Sequence, residues 1–283
     1  MTQESDTLPG TADEQAPWSR RVPLQGSANF RDIGGYPTTA GGRVRRGVVF
    51  RSGSLDELSE DDVPVLRSLG VCAVADLRRE PERAEVTPAW FEASGIAVTQ
   101  LPIGTRVAHL KSIAERMIAG EIADFGTNDM VDIYTTLLTH YPEEFGAVVR
   151  LIASSEGATV IHCTAGKDRT GVAVALLLSF LGVDDATVAQ DYALSQEHYS
   201  MPLLASLEVR FADLDADLDR VRAFFEAQPA VMLALLADLR ERFGDAAAYL
   251  AGPAGVSPED LARLRERLLD GHDAARPDQE DQA

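Results

Sequence analysis

Cys163 is followed six positions later by Arg169, inside the run Thr159-Val160-Ile161-His162-Cys163-Thr164-Ala165-Gly166-Lys167-Asp168-Arg169-Thr170-Gly171. A thiol and a guanidinium at this spacing can surround one tetrahedral oxyanion. The chemistry they suit is transfer of a phosphoryl group to sulfur. That reaction needs a thiolate, a cradle for three equatorial oxygens and a proton for the leaving oxygen. A free thiol has a pKa of about 8.5, and a helix N-terminus or nearby cations favour its thiolate. Cys163 stands before a helix start and close to Lys167 and Arg169, so it is the candidate nucleophile.

The backbone N–H groups from Thr164 to Arg169, those of Ala165, Gly166 and Lys167 among them, can turn inward as an anion-binding nest. Gly166 permits the tight path, and Arg169 can hold two phosphate oxygens in a fork that lysine lacks. Thr170 can donate its hydroxyl to the sulfur, and His162 is read as orienting the loop. The Gly-Lys pair is followed by Asp168, not by Ser or Thr, so a nucleotide-binding P-loop is not supported. Read as a plain strand residue, Cys163 would be a small buried hydrophobe, which leaves the charged loop unexplained.

The elements that must position this loop alternate. Residues 47–52, 71–76, 96–102 and 159–163 read as strands. Residues 58–69, 127–140, 142–153 and 170–181 read as helices, and the fold class is therefore α/β. Near residue 59 two helix starts are open, a Ser59/Asp62 capping box or an Asp61 cap with Pro64 in the first turn. Ligand sites in open α/β sheets lie at the carboxyl ends of strands. If the strands ending at Arg51, Asp76 and Cys163 are parallel neighbours, the three side chains should converge on one mouth. On that topology Asp76 is a candidate general acid, Arg51 and Arg78 are candidate anion contacts, and Arg79 beside Arg78 could help steer the anion.

After Ser200 the pattern is helical only. Leu207, Phe211, Leu214, Leu218, Val221 and Phe225 form one apolar stripe, and Val231, Leu235, Leu239 and Phe243 a second. Ser257-Pro258-Glu259-Asp260 opens a last helix. The expected layout is a polar segment over 1–22 without fixed structure, one domain over 23–269 with a helical lid at about 201–250, and a polar tail over 270–283. Packing of the helical pair on the chain's own core is preferred over a coiled-coil partner, and the oligomeric state stays open.

The formal net charge of −19 disfavours nucleic acid and anionic membranes as partners. The longest apolar run, Gly171 to Val183, is too short to span a bilayer. Two cysteines and five histidines, without metal-ligand spacing, give no zinc site or disulfide frame, and no metal or cofactor is expected. Cys72 lies about 13 Å from the strand end at ~3.3 Å per residue, too far for a bridge to Cys163. Residues 1–6 do not read as a secretory signal. A cytoplasmic setting is the default, and leaderless export stays open.

The sequence His-Cys-x-x-Gly-Lys-Asp-Arg-Thr-Gly resembles the signature of protein-tyrosine phosphatases. It is similar to the branch of bacterial tyrosine and lipid phosphatases typified by a secreted mycobacterial enzyme. Asn29-Phe30-Arg31-Asp32, Phe50-Arg51-Ser52 and Val74-Ala75-Asp76-Leu77-Arg78 look like that branch's N-terminal motifs, and the likeness covers residues 24 to 268. It implies a dual-specificity-phosphatase-like sheet flanked by helices, and a C-terminal helical lid. It also implies a phosphocysteine at Cys163, no metal, and a phosphorylated protein or a phosphoinositide as substrate.

Two acids compete. Asp76 matches the acid that the resemblance assigns, while Asp168 sits where lipid phosphatases of the myotubularin type carry a candidate acid. Lys167 reads either as a contact for extra substrate charge or as a loop-stabilising partner. The alternative functions are rhodanese-like sulfur transfer, which has no call for the arginine, and a catalytically silent phosphate-binding module.

Overall fold

The structure is a computed structural model and describes residues 19–83, 94–106, 124–200 and 222–270. Five strands form the main sheet: β1 (Arg31–Asp32), β3 (Val49–Ser52), β4 (Val71–Asp76), β5 (Ala97–Gln100) and β6 (Ala158–His162). Their order is β1-β3-β6-β4-β5, with β3, β6, β4 and β5 parallel and β1 antiparallel at one edge. A short strand β2 (Arg43–Val44) pairs with β7 (Leu269–Asp270).

One face of the sheet packs on α1 (Asp62–Ser68), through Phe50, Val74 and Val160 against Leu66. Pro64 is the third residue of α1, in its first turn, but Asp61 makes no side-chain cap bond. The Asp62 carboxylate instead accepts from the Ser59 N–H at 2.8 Å and from the Ser59 hydroxyl at 3.0 Å, half of the Ser59/Asp62 box. The other face carries Val49, Ala75, Ile161 and Cys163 under the larger helical layer. That layer holds α2 (Thr127–His140), α3 (Pro142–Ser154), α4 (Asp168–Phe180) and α5 (Asp185–Ser195). It continues with α6 (Arg222–Phe225), α7 (Pro229–Phe243), α8 (Ala246–Ala251) and α9 (Pro258–Leu268).

Helix α4 is the axis of this layer. Every residue from Thr170 to Leu178 is buried, as expected of a helix that is apolar all round. Each fully buried aliphatic side chain contributes about 1.5–3 kcal/mol, which fixes the helix start, and hence Asp168 and Arg169, relative to the sheet. Helix α7 packs on α2 and α5, and α9 on α3. Ser257 caps α9, its Oγ accepting from the Asp260 N–H at 3.1 Å.

The expected segments match four strands and six helices, with ends shifted by at most four residues. The stripe from Leu207 to Val221 lies outside the described residues, as do most of the two polar ends. Among the described residues no helix is long and apolar enough to cross a membrane.

Candidate functional site

The turn from β6 into α4 is held from its outer side, one carbonyl at a time. The Thr164 carbonyl accepts from the Ser54 N–H at 2.9 Å. The Ala165 carbonyl accepts from Asn29 Nδ2 at 3.0 Å, and the Gly166 carbonyl from Arg51 Nη2 at 2.8 Å. A trans peptide points its carbonyl and the next N–H in opposite directions. Three carbonyls pulled outward therefore turn the N–H groups of Ala165, Gly166 and Lys167 to the concave side. None of these three donates to another described backbone group, which leaves a nest for an anion. Gly166 has φ +67°, and a Cβ there would lie 2.3 Å from the Ser52 carbonyl oxygen. No other residue fits that approach.

The outer supports form a buried network. Asp191, in the middle of α5, accepts from Arg51 at 2.5 Å and from the Tyr36 hydroxyl at 3.0 Å, and pairs with Arg31 at 3.5 Å. Arg31 and Arg51 face each other across β1 and β3, so one carboxylate holds two guanidiniums. Burial lowers the Arg31 pKa to about 9, with Arg51 adding to the effect and Asp191 opposing it. Burial also pushes the Asp191 carboxyl up, but Arg31 and Arg51 outweigh it and hold it below its ordinary value. Asn29 sits in the left-handed region at φ 64°, where asparagine is tolerated. Its amide also reaches Ser195 Oγ at 3.3 Å.

Strand register corrects the expectation of a common mouth. Ser52, His162 and Asp76 are paired across the three strands, and Arg51 pairs with Ile161, itself beside Ala75. Side chains alternate faces along a strand, so Arg51 and Asp76 leave the sheet on opposite sides, and Cys163 packs with the Arg51 side. Arg51 is wholly buried and is spent on Asp191 and Gly166. Arg78 is buried as well, on Asp76 at 3.0 Å and on Ser54 at 2.9 Å, with Asp56 beside it. Both serve as braces behind the loop, not as anion contacts at an open rim.

Asp76 is 3% exposed and sits 3.5 Å from His162 Nε2. Burial pushes its carboxyl up, but the hydrogen bonds from Arg78 outweigh that and hold it below the ordinary carboxylate range. His162 is pushed down to about 4, chiefly by burial and against the pull of Asp76. Its Nδ1 lies 3.3 Å from the Cys163 carbonyl, a position that braces the strand end. Cys72 lies 3.1 Å from the Gly157 N–H, and both cysteines are free thiols.

Arg169 projects from the first turn of α4. Its Nη1 and Nη2 each donate to one oxygen of Glu82 at 2.7 Å, and Nη2 lies 3.3 Å from Thr164 Oγ1. Arg79 grips the same carboxylate through its backbone N–H at 2.9 Å and Nε at 2.7 Å. Burial disfavours the Arg169 charge, but Cys163 and Glu82 outweigh it and hold the guanidinium above its ordinary pKa. Glu82 escaped sequence reasoning. Its only signal was an acidic residue shortly after Arg78-Arg79, which also suits a short 3-10 turn, here Glu80–Glu82.

Asp168 is the more open acid, its side chain 30% exposed. The Tyr134 hydroxyl donates to its Oδ1 at 2.7 Å, and the Tyr192 hydroxyl stands 2.8 Å from that of Tyr134. Tyr199, in the π-helical turn Gln196–Ser200, is pushed up to about 12 by burial and then by the charges of Asp168 and Cys163. Tyr134, which holds Asp168, packs in the same layer as Cys163, so Asp168 and Cys163 stand on one side of the sheet. The Thr170 hydroxyl is buried without a hydrogen-bond partner among the described residues. Lys167 Nζ donates to the Phe224 and Glu226 carbonyls, the latter at 3.0 Å, and stands 3.4 Å from Asp168. The end of α6 and the residue after it are thus tied to the loop through this lysine, which is spent on them. Among the described residues no group of three or more His, Cys, Asp or Glu is placed to hold a metal ion.

A parallel sheet feeding a carbonyl-out loop at a helix start, with one arginine over it, defines an oxyanion-binding enzyme of the phosphatase class. The chain belongs to the tyrosine phosphatase family, whose model matches residues 22–270. It is 31% identical over 286 residues to the triple specificity protein phosphatase PtpB of Mycobacterium tuberculosis, covering 87% of this chain and 98% of that one. It is 29% identical over 234 residues to a tyrosine-protein phosphatase of Nostoc commune, covering 77% of this chain and 73% of the other.

Proposed function

We propose that the chain hydrolyses phosphate monoesters through a phosphocysteine at Cys163, with phosphotyrosine the first substrate class and Asp168 the general acid. The carbonyl-out loop carries the reading, because it supplies inward N–H groups together with Arg169 for three equatorial oxygens. In the first step the Cys163 thiolate forms an S–P bond as the P–O bond to the leaving group breaks. Asp168 gives its proton to the departing oxygen. In the second step water attacks phosphorus and returns a proton to Asp168. The S–P bond breaks and inorganic phosphate leaves.

Asp168 is favoured over Asp76 because it shares the Cys163 side and is open to substrate. Asp76 is buried on the other face and held ionised by Arg78. Phosphoserine, phosphothreonine and phosphoinositides form the wider substrate set in this proposal. The mycobacterial relative's description as a triple specificity phosphatase supports the breadth.

The test is turnover of p-nitrophenyl phosphate and a phosphotyrosyl peptide by wild type, Cys163→Ser and Asp76→Asn. Cys163→Ser should abolish turnover while still binding vanadate or phosphate. Asp76→Asn should lower all substrates by a similar factor. Phosphate-ester binding without any turnover by the wild type would replace this reading with the silent binding module.

A further inference from the structure

Asp168 is not an isolated carboxylate. A tyrosine hydroxyl carries one proton. The Tyr134 hydroxyl donates that proton to Asp168 Oδ1 at 2.7 Å, so the 2.8 Å contact with Tyr192 is made by the Tyr192 proton. The relay runs in one direction, from Tyr192 to Tyr134 to Asp168. Lys167 Nζ, at 3.4 Å, also approaches Oδ1. Both cationic and hydroxyl partners therefore crowd one carboxylate oxygen and leave Oδ2 as the oxygen that can hold the acid proton.

Tyr134 itself is rigidly placed. It is fully buried on α2, against α4, and its ring packs edge-on against Tyr192 with centroids 6.0 Å apart. Burial, then the Asp168 charge and its Tyr192 neighbour, hold its hydroxyl well above the ordinary phenol pKa, so it stays a donor. Nothing in the apolar packing of α2 requires that hydroxyl; phenylalanine would fill the same volume.

We propose that Tyr134 is a positioning residue for proton transfer, which fixes the Asp168 carboxyl group so that Oδ2 faces the leaving oxygen. The inference rests on the reading of Asp168 as the acid. A well-placed general acid accelerates departure of a poor leaving group and matters little for a good one. A merely structural tyrosine would change both alike.

The experiment compares the full-length wild type, Tyr134→Phe, Asp168→Asn and the double variant. Each is assayed by single-turnover Cys163 phosphorylation on aryl phosphates from good to poor leaving groups, and by vanadate affinity. Asp168→Asn should lose about a hundredfold on the poorest leaving group and little on the best. Tyr134→Phe should lose about tenfold on the poorest, with vanadate affinity and the rate on the best leaving group retained. The double variant should lose no more than Asp168→Asn alone, because the two residues act as one unit.

If Asp168→Asn shows no leaving-group dependence, the acid assignment fails. If it does and Tyr134→Phe matches wild type across the series, the positioning role fails while the acid stands. An equal loss by Tyr134→Phe on every leaving group overturns the proposal in favour of a structural tyrosine. The rate on the best leaving group and the vanadate affinity report whether Tyr134→Phe has kept its fold.

Discussion

Glu82 and Arg169 meet end on, each carboxylate oxygen taking one terminal nitrogen at 2.7 Å. A guanidinium has five N–H groups in a rigid fork. Gripped at its end by Glu82, it keeps its Nε edge to offer to an oxyanion. Glu82 thus orients the arginine, as Arg79 orients Glu82. Glu82→Gln would set an amide N–H against a guanidinium N–H, freeing Arg169 to rotate. We expect kcat/KM on p-nitrophenyl phosphate to fall by about tenfold or more, with vanadate affinity falling in parallel. Tighter vanadate binding in Glu82→Gln would mean instead that the carboxylate competes with the anion.

Asn29 supplies the donor for the middle carbonyl of the loop, at 3.0 Å from the Ala165 oxygen. Asn29→Asp retains the shape and tolerance of left-handed φ but offers no donor and places charge beside a carbonyl. Leaving a buried acceptor unmet costs about 1–3 kcal/mol. The expected result is an unfolding free energy lower by that amount, read as a lower urea midpoint, together with weakened vanadate binding. Unchanged anion binding in a destabilised Asn29→Asp would show that the loop keeps its turn without this anchor.

The run from Thr159 to Gly171 was readable because its chemistry is local: strand, turn glycine, cations and helix start follow one another in sequence. The faces of Arg51 and Asp76 were not. Strand ends can be located by periodicity, but which side of the sheet each points to depends on register, and one residue reverses it. Asp191 lay hidden in an ordinary helix, and its partners Arg31 and Arg51 come from strands some 140 to 160 positions earlier. Tyr134 lies among Met130, Leu137 and Leu138 on the buried face of α2, a place where sequence shows only an apolar face, and the approach of α2 to α4 gives its hydroxyl a partner.

His162 provides a stability probe. Its folded pKa is lowered to about 4, mainly by burial, against about 6.5 in an unfolded chain. Between these values the unfolded state binds the proton and the folded state does not, so stability rises with pH. The contribution is complete above pH ~6.5 and is lost on acidification toward ~4. It amounts to about 3 kcal/mol over the window, at ~1.4 kcal/mol per pH unit. Urea unfolding at several pH values should show this slope in wild type and a flatter one in His162→Asn. Equal slopes in the two proteins would place the acid sensitivity elsewhere.

Lys167 decides whether charge beyond one phosphate is read at the loop. Its amine is buried, donates to the Phe224 and Glu226 carbonyls and stands over the Phe224 ring at 5.6 Å. The neighbouring Ala227 N–H is tied to Gln196 Oε1 at 2.7 Å. An amine committed to two backbone carbonyls holds this segment and has few donors left for a second phosphate. Lys167→Met should therefore loosen residues 222–228, seen as faster amide exchange there, and lower the thermal midpoint. Its effect on kcat/KM should be similar for a phosphotyrosyl peptide and a phosphoinositide. A loss at least tenfold larger on the phosphoinositide would mean that this segment releases the amine to bind the second phosphate.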